Sequence, residues 1–379
     1  MQSLDNNTKA FLELVRAGLW ETDARLLQIK EIDYSQVLSH AEEQSIVGLV
    51  AAGIEHVVDV KVPKEDVLQF VGQALQLEQR NRAMNTFIGE VVTDLRKEDI
   101  YTVLVKGQGV AQCYERPLWR SSGDIDFLLS DENYQKAVNY FKERYSNNKN
   151  GGDYSKETAF YTDQWMIEVH GSLRTCLSSR LDREVDNVQR DVFFAGNVRS
   201  WDNGGTIVFL PSPENDVFFV FTHFIKHFYK EGMSLRQVCD WIRLLWTYKD
   251  SLNHELLESR IRRAGVMGEW KSFAAVAVNH LGMPVEAMPL YSEDKKWHVK
   301  GEMIMSFILD KKESGKVART LDMAKIFPGN TIQFSPAIFF HLNWLKIKEG
   351  VLFWNMKYLK AIGEFCSYLF IPQRRPKEM

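Results

Sequence analysis

Cysteine is sparse in this 379-residue chain: four residues, at 113, 176, 239 and 366, with no CxxC pair. That wide spacing excludes a zinc ribbon and a disulfide scaffold, and it fits the reducing cytoplasm. Glycine (23) and proline (10) are too few for a low-complexity or disordered chain. Positive charge is not in excess: the formal net charge is −3, so no global field holds a long nucleic acid by its phosphates. Long apolar runs are missing as well. The longest uncharged stretch, Ile326 to Leu345, contains Pro328, Gly329, Asn330, Pro336, His341 and Asn343 and does not read as a transmembrane helix. The opening residues MQSLDNNTKAF carry no basic segment followed by an apolar one, so no secretory leader is expected. What is present is 45% hydrophobic and 12% aromatic sequence, enough to bury a sizeable core in two or three domains.

The periodicity divides the chain into three regions. Residues 1–97 read as helical. AFLELVRAGLW and SQVLSHAEEQSIVGLVAAGIEHV place apolar residues at three- and four-residue steps, and a long third helix starts after Pro63. Ser35 is the expected cap of the second helix and Glu65 the first-turn acid of the third. Residues 98–211 read as a mixed segment of five or six strands. IYTVLVKG, DIDFLLS, ETAFYTD and WMIEVHGSL are strand-like, NYQKAVNYFKERY is an amphipathic helix, and GNVRSW and TIVFLP flank DNGG, a hairpin signal. Residues 212–379 read as helical again, beginning at Ser212–Pro213–Glu214. The expected class is α+β, a central mixed sheet flanked by N- and C-terminal helical regions. The stripe Phe218, Phe221, Phe224, Phe228 reads as core, and the aromatic-rich stretch from Ala337 as core helices or a partner surface.

The chemistry concentrates between Leu104 and Leu129. Asp124 and Asp126 alternate with Ile125 and Phe127, so in a strand both carboxylates face one side, about 7 Å apart along the chain. If they converge to about 5 Å they repel by roughly 3 kcal/mol at an effective dielectric of about 20. Solvation, a proton or a bridging cation relieves this, and Asp126→Asn is expected to leave the fold intact or slightly more stable. Aspartate is disfavoured in strands, so two in one apolar strand call for a purpose. Glu168 lies in a second alternating strand, with His170 two residues on, on the same face. Three carboxylates on adjacent strands behind a glycine-containing loop suit a hard divalent cation and metal-assisted phosphoryl transfer.

The pattern KG, Tyr, Arg, GDIDFLL and IEVHGSL resembles the nucleotidyltransferase superfamily with the DNA polymerase β-like fold, and within it the bacterial group of uncharacterised nucleotidyltransferases. The resemblance is strongest over 100–175, weaker over 1–97 and 212–260, and absent beyond about 300. It implies that Asp124 and Asp126 bind Mg²⁺ or Mn²⁺, that Glu168 is the third acid and the base toward an acceptor hydroxyl, and that Gly107 belongs to the loop under a nucleoside triphosphate such as ATP. The sequence departs from the family where that loop reads Gly107–Gln108–Gly109 in place of Gly-Ser or Gly-Gly. Gln108 or backbone N–H groups would then make the phosphate contact.

A triphosphate also calls for cations. Lys106, Arg116 and Arg120 are near in sequence, and Arg120 is the preferred contact, read as a loop residue with little packing to lose. His170 and His223 are assigned to the acceptor side; His223 and His227 are four apart on a helix but lack an HExxH arrangement. Arg236 and Asp240 have the spacing of an intrahelical ion pair.

The expected activity is therefore Mg²⁺-dependent transfer of a nucleotidyl group to an acceptor hydroxyl with release of pyrophosphate. The acceptor, small molecule or macromolecule, is not specified. The alternative is a nucleotide-binding or scaffold protein that keeps the fold without turnover, favoured by the altered loop and opposed by the intact acids. No P-loop or kinase glycine-rich loop supports a kinase.

Overall fold

The computed structural model describes residues 4–150, 156–230, 232–309 and 326. The expectations for Ile326–Leu345 and for the stretch from Ala337 lie outside these residues, Ile326 apart. The class is α+β, with a mixed sheet and many helices.

Four helices come first: α1 (Asn6–Trp20), α2 (Tyr34–Glu43), α3 (Val47–Glu55) and α4 (Lys64–Lys97). The stretch read as one second helix is two. Its start is capped by Asp33, whose carboxylate accepts from the Ser35 and Gln36 N–H groups, so Ser35 is not the cap. Helix α4 has 34 residues, starts after Pro63 and carries Glu65 and Asp66 in its first turn. At 1.5 Å per residue it runs about 50 Å.

The sheet among the described residues has seven strands, β1 (Val103–Val105), β2 (Asp124–Leu128), β3 (Ser146–Asn150), β4 (Glu157–Tyr161), β5 (Met166–His170), β6 (Val198–Asn203) and β7 (Thr206–Pro211). Their order is β3-β4-β5-β2-β1-β7-β6. Strand β3 exceeds the five or six expected; its polar sequence SNNKN gives no alternation to read. The β2–β5 and β1–β7 pairs are parallel and the others antiparallel. The DNGG hairpin forms, with Gly204 and Gly205 at φ 61° and 93°, as a turn with two positive φ values requires. Between the strands lie α5 (Gly107–Ala111), a 3-10 turn at Pro117–Trp119, α6 (Asp131–Arg144) and α7 (Ser179–Phe194). Helix α7 occupies the charged stretch that carried no assignment; its buried Leu181, Val185, Val188 and Val192 form one face.

Between Pro213 and Leu309 the described residues are mainly helical: α8 (Pro213–Lys230), α9 (Leu235–Thr247), α10 (His254–Ala264), α11 (Met267–Leu281) and α12 (Lys295–Leu309). Phe218, Phe221, Phe224 and Phe228 are fully buried. Each such side chain contributes about 1.5–3 kcal/mol of burial.

The sheet separates two cores. On one face Leu104, Ile125, Phe127, Ile167 and Val169 pack on Met84, Ile88 and Leu95 of α4 and Phe141 of α6. On the other, Val103, Val105 and Leu128 join a larger core built from α1–α3 and α8–α12 together. The N- and C-terminal helical regions thus share one interior. Trp20 donates to the Leu281 carbonyl at 2.6 Å, and Arg243 to the carbonyls of Leu19 and Cys113 at 2.8 Å. Among the described residues no helix is long and apolar enough to cross a membrane, and Cys113, Cys176 and Cys239 are free thiols.

Candidate active site

Parallel pairing sets the acids beside each other. Asp126 is in register with Glu168 and Leu128 with His170, so Asp124, Asp126, Glu168 and His170 share the sheet face that looks toward α8 and α9. They line a cavity of about 380 Å³ whose far wall carries His223, Lys226, His227, Arg236, Gln237 and Asp240. Ligand atoms of Asp126, Glu168 and His170 all lie within 4.8 Å of one another. Two carboxylates and an imidazole at that spacing fit a divalent cation, with Asp124 as a further oxygen donor on the same wall.

The electrostatics separate the two aspartates. Asp126 is 2% exposed. Its Oδ1 accepts from Lys106 Nζ at 2.8 Å and lies 2.8 Å from His170 Nε2. Burial opposes its charge, but Lys106 and His170 outweigh burial and hold its pKa well below the usual range. Asp124 goes the other way: the neighbouring Asp126 charge, then burial, pushes its pKa up. Burial also works against the Lys106 ammonium and the His170 imidazolium, yet the surrounding carboxylates raise both. His170 Nε2 is 3.5 Å from Glu168 Oε2, so the imidazole bridges the two acids.

Lys106 reaches this cluster through an unusual turn. It stands at φ 59°, ψ −148°, and Gly107 follows at φ 42°. A non-glycine residue there carries backbone strain, as residues at functional sites often do.

Other assignments change. Gln108 is 1% exposed and points away from the cavity into α4, donating to Asn81 at 2.8 Å. Its side chain does not face a phosphate in the cleft; from helix α5 it turns toward Asn81 and Met84 of α4. Arg120 borders the cavity but is not a loose loop residue. Its Nε and Nη2 donate to the two oxygens of Asp240 at 2.9 and 2.6 Å, and Nη1 to Ser121 O and Ser122 Oγ at 3.0 and 2.7 Å. The guanidinium is nearly saturated by protein acceptors. Arg116 pairs with Glu21 and Glu55 between α1 and α3, away from the cleft. Asp240, taken by Arg120 and the Tyr114 hydroxyl (2.8 Å), is not the intrahelical partner of Arg236, which donates to the Ser121 carbonyl at 2.8 Å. His223 does face the cavity, with Nε2 3.0 Å from His227 Nε2, and burial, Lys106 and His227 lower its pKa well below the usual value.

Of the helical wall the sequence pointed to His223 but missed Arg236 as a cavity residue. Arg236 sits in the first turn of α9, where the helix dipole disfavours a cation. That misfit is the one local signal that could have singled it out.

A family model described as "Uncharacterised nucleotidyltransferase" matches residues 30–280. A solved structure, that of an antigenic nucleotidyltransferase-like protein from Paracoccidioides brasiliensis, is similar over 47% of this chain and 85% of its own, at 13% identity and a TM-score of 0.30, too low to bear on fold or function. No curated protein matches. With that family match spanning most of its length, the acid-bearing sheet and the helices on both sides of it included, the chain belongs to the uncharacterised nucleotidyltransferase family.

Proposed function

We propose that the protein transfers a nucleotidyl group from a nucleoside triphosphate to an acceptor hydroxyl in a divalent-metal-dependent reaction of the polymerase β-like kind. The observation that carries this reading is the in-register pair Asp126 and Glu168, with Asp124 on the same face of one closed-in cavity. Asp124, Asp126 and Glu168 would hold Mg²⁺ or Mn²⁺, which when bound supplies charge neutralisation for the phosphate oxygens. The acceptor oxygen forms a bond to the α-phosphorus, the bond to the β-bridging oxygen breaks, and pyrophosphate leaves. Glu168, less buried than Asp126, takes the acceptor proton. His170 keeps Asp126 oriented, and His223 faces the acceptor from α8. Lys106 and Gly107 lie under the triphosphate. Residues 98–211 form the catalytic unit, supported by the described helices on either side of it, α1–α4 and α8–α12. The free thiols suit the cytoplasm.

The non-catalytic reading has one observation in its favour: Asp126 is already neutralised by Lys106 and His170. Thermal unfolding with Mg²⁺ and each of the four nucleoside triphosphates tests donor binding, and pyrophosphate release separates turnover from binding alone. A ligand at about a hundred times its dissociation constant stabilises the fold by roughly 2.7 kcal/mol. Stabilisation that needs both metal and nucleotide, with pyrophosphate released in an acceptor panel, is the expected result. No stabilisation by any pair overturns the proposal.

A further inference from the structure

The cavity has more than one cation, but most are already paired with carboxylates. Lys106 is on Asp126, Arg120 on Asp240, and Arg174 on Asp186 at 2.5 Å. Arg236 differs. Its Nη1 donates to the Ser121 carbonyl, its Nε is buried without an acceptor, and no carboxylate among the described residues pairs with it. Its position adds to the cost. The first turn of α9 holds no acid, and the positive end of a helix repels a cation and attracts an anion. A buried guanidinium donor left unsatisfied at such a place is unfavourable unless an oxyanion completes it. Arg236 lines the cavity together with Gly107 and Asp124.

We propose that Arg236, from the helical wall, is the residue that binds the polyphosphate of the donor, the task the sequence gives to Arg120. This rests on the nucleotidyltransferase reading and deepens it. Arg120 is instead a positioning residue: through Asp240 and Tyr114 it fixes the segment that leads into Asp124. Arg236 reaches the same segment through Ser121, so an anion on its guanidinium also ties α9 to the start of β2.

The test is titration of the full chain, with Mg²⁺ present, by a nucleoside triphosphate, by the matching monophosphate and by inorganic tripolyphosphate. Wild type is compared with Arg236→Gln and Arg236→Lys, each shown by circular dichroism to be folded at the measuring temperature. For Arg236→Gln the triphosphate and tripolyphosphate dissociation constants should rise at least about tenfold, the loss of one charge-assisted contact. The monophosphate constant should change less, and Arg236→Lys should recover part of the loss. A purely structural residue would weaken all three ligands alike, and that result overturns the proposal. So does unchanged triphosphate affinity in Arg236→Gln. Wild type that binds none of the three ligands removes the nucleotidyltransferase reading itself, a different failure from a wild type that binds and a variant that binds equally.

Discussion

Arg120 and Asp240 meet 120 residues apart in the chain as a two-bond fork, Nε to Oδ1 at 2.9 Å and Nη2 to Oδ2 at 2.6 Å, at the junction between the strand that carries the acids and the helical wall. Both are buried. Removing one partner leaves the other charge uncompensated, so Arg120→Ala should destabilise the unliganded protein by about 3–5 kcal/mol in denaturant unfolding. This reverses the expectation that the residue has little packing to lose.

The same pair sets an acid limit on stability. Burial disfavours the Asp240 carboxylate, but Arg120 and then Arg236 outweigh it, and its pKa lies below the ordinary value of 3.8. A group lowered on folding contributes stability that is present above its unfolded value and lost as the pH falls through the folded one. Wild type should therefore lose more stability than Asp240→Asn between about pH 5 and about pH 3, although Asp240→Asn starts lower. Equal acid losses in the two proteins would show that Asp240 does not carry the effect.

The two strand aspartates should respond oppositely to loss of charge. Asp126→Asn strips Lys106 and His170 of their shared acceptor charge and should cost about 3 kcal/mol in metal-free unfolding. Asp124→Asn removes a repulsion, since Asp126 is the main cause of its raised pKa, and should be neutral or stabilising by up to about 1 kcal/mol. Both should lose pyrophosphate release. The expectation that Asp126→Asn leaves the fold intact or more stable left out its partners Lys106 and His170.

Asn81 is fully buried, donates to the Leu118 and Arg120 carbonyls at 2.8 Å each, and accepts from Gln108. Asn81→Leu should cost about 2 kcal/mol or more, because three polar groups lose a partner together. Urea unfolding measures it.

Two glycine substitutions should have opposite signs. At Gly53 an added Cβ would lie 2.0 Å from the Leu14 carbonyl oxygen, so α1 and α3 must part, and Gly53→Ala should cost about 1–3 kcal/mol. At Gly72 in α4 nothing lies within 4 Å, and Gly72→Ala should stabilise by about 0.5–1 kcal/mol through helix propensity. Melting temperatures of the two variants measure the contrast.

Features that depend on local period are legible in the residues themselves. Alternation in DIDFLL put Asp124 and Asp126 on one strand face and Ile125 and Phe127 on the other; DNGG determined a hairpin; Pro63 and Pro213 marked helix starts; the phenylalanine stripe of α8 marked core. These follow because side-chain direction in a strand or helix repeats every two or 3.6 residues, whatever packs against it. Local patterns were weaker where polarity hides them, as in β3 and α7, and where two short helices share one apolar rhythm, as in α2 and α3. Which charge serves which partner came from the folded arrangement alone. Arg120 is near Asp124 in sequence yet belongs to Asp240; Arg236 is spaced for Asp240 yet turns to Ser121 and the cavity; Gln108 sits beside Gly107 yet faces α4. Coulomb attraction acts through space and strengthens as water is excluded, so a buried charge pairs with whatever the fold brings within a few ångströms, and sequence distance does not enter.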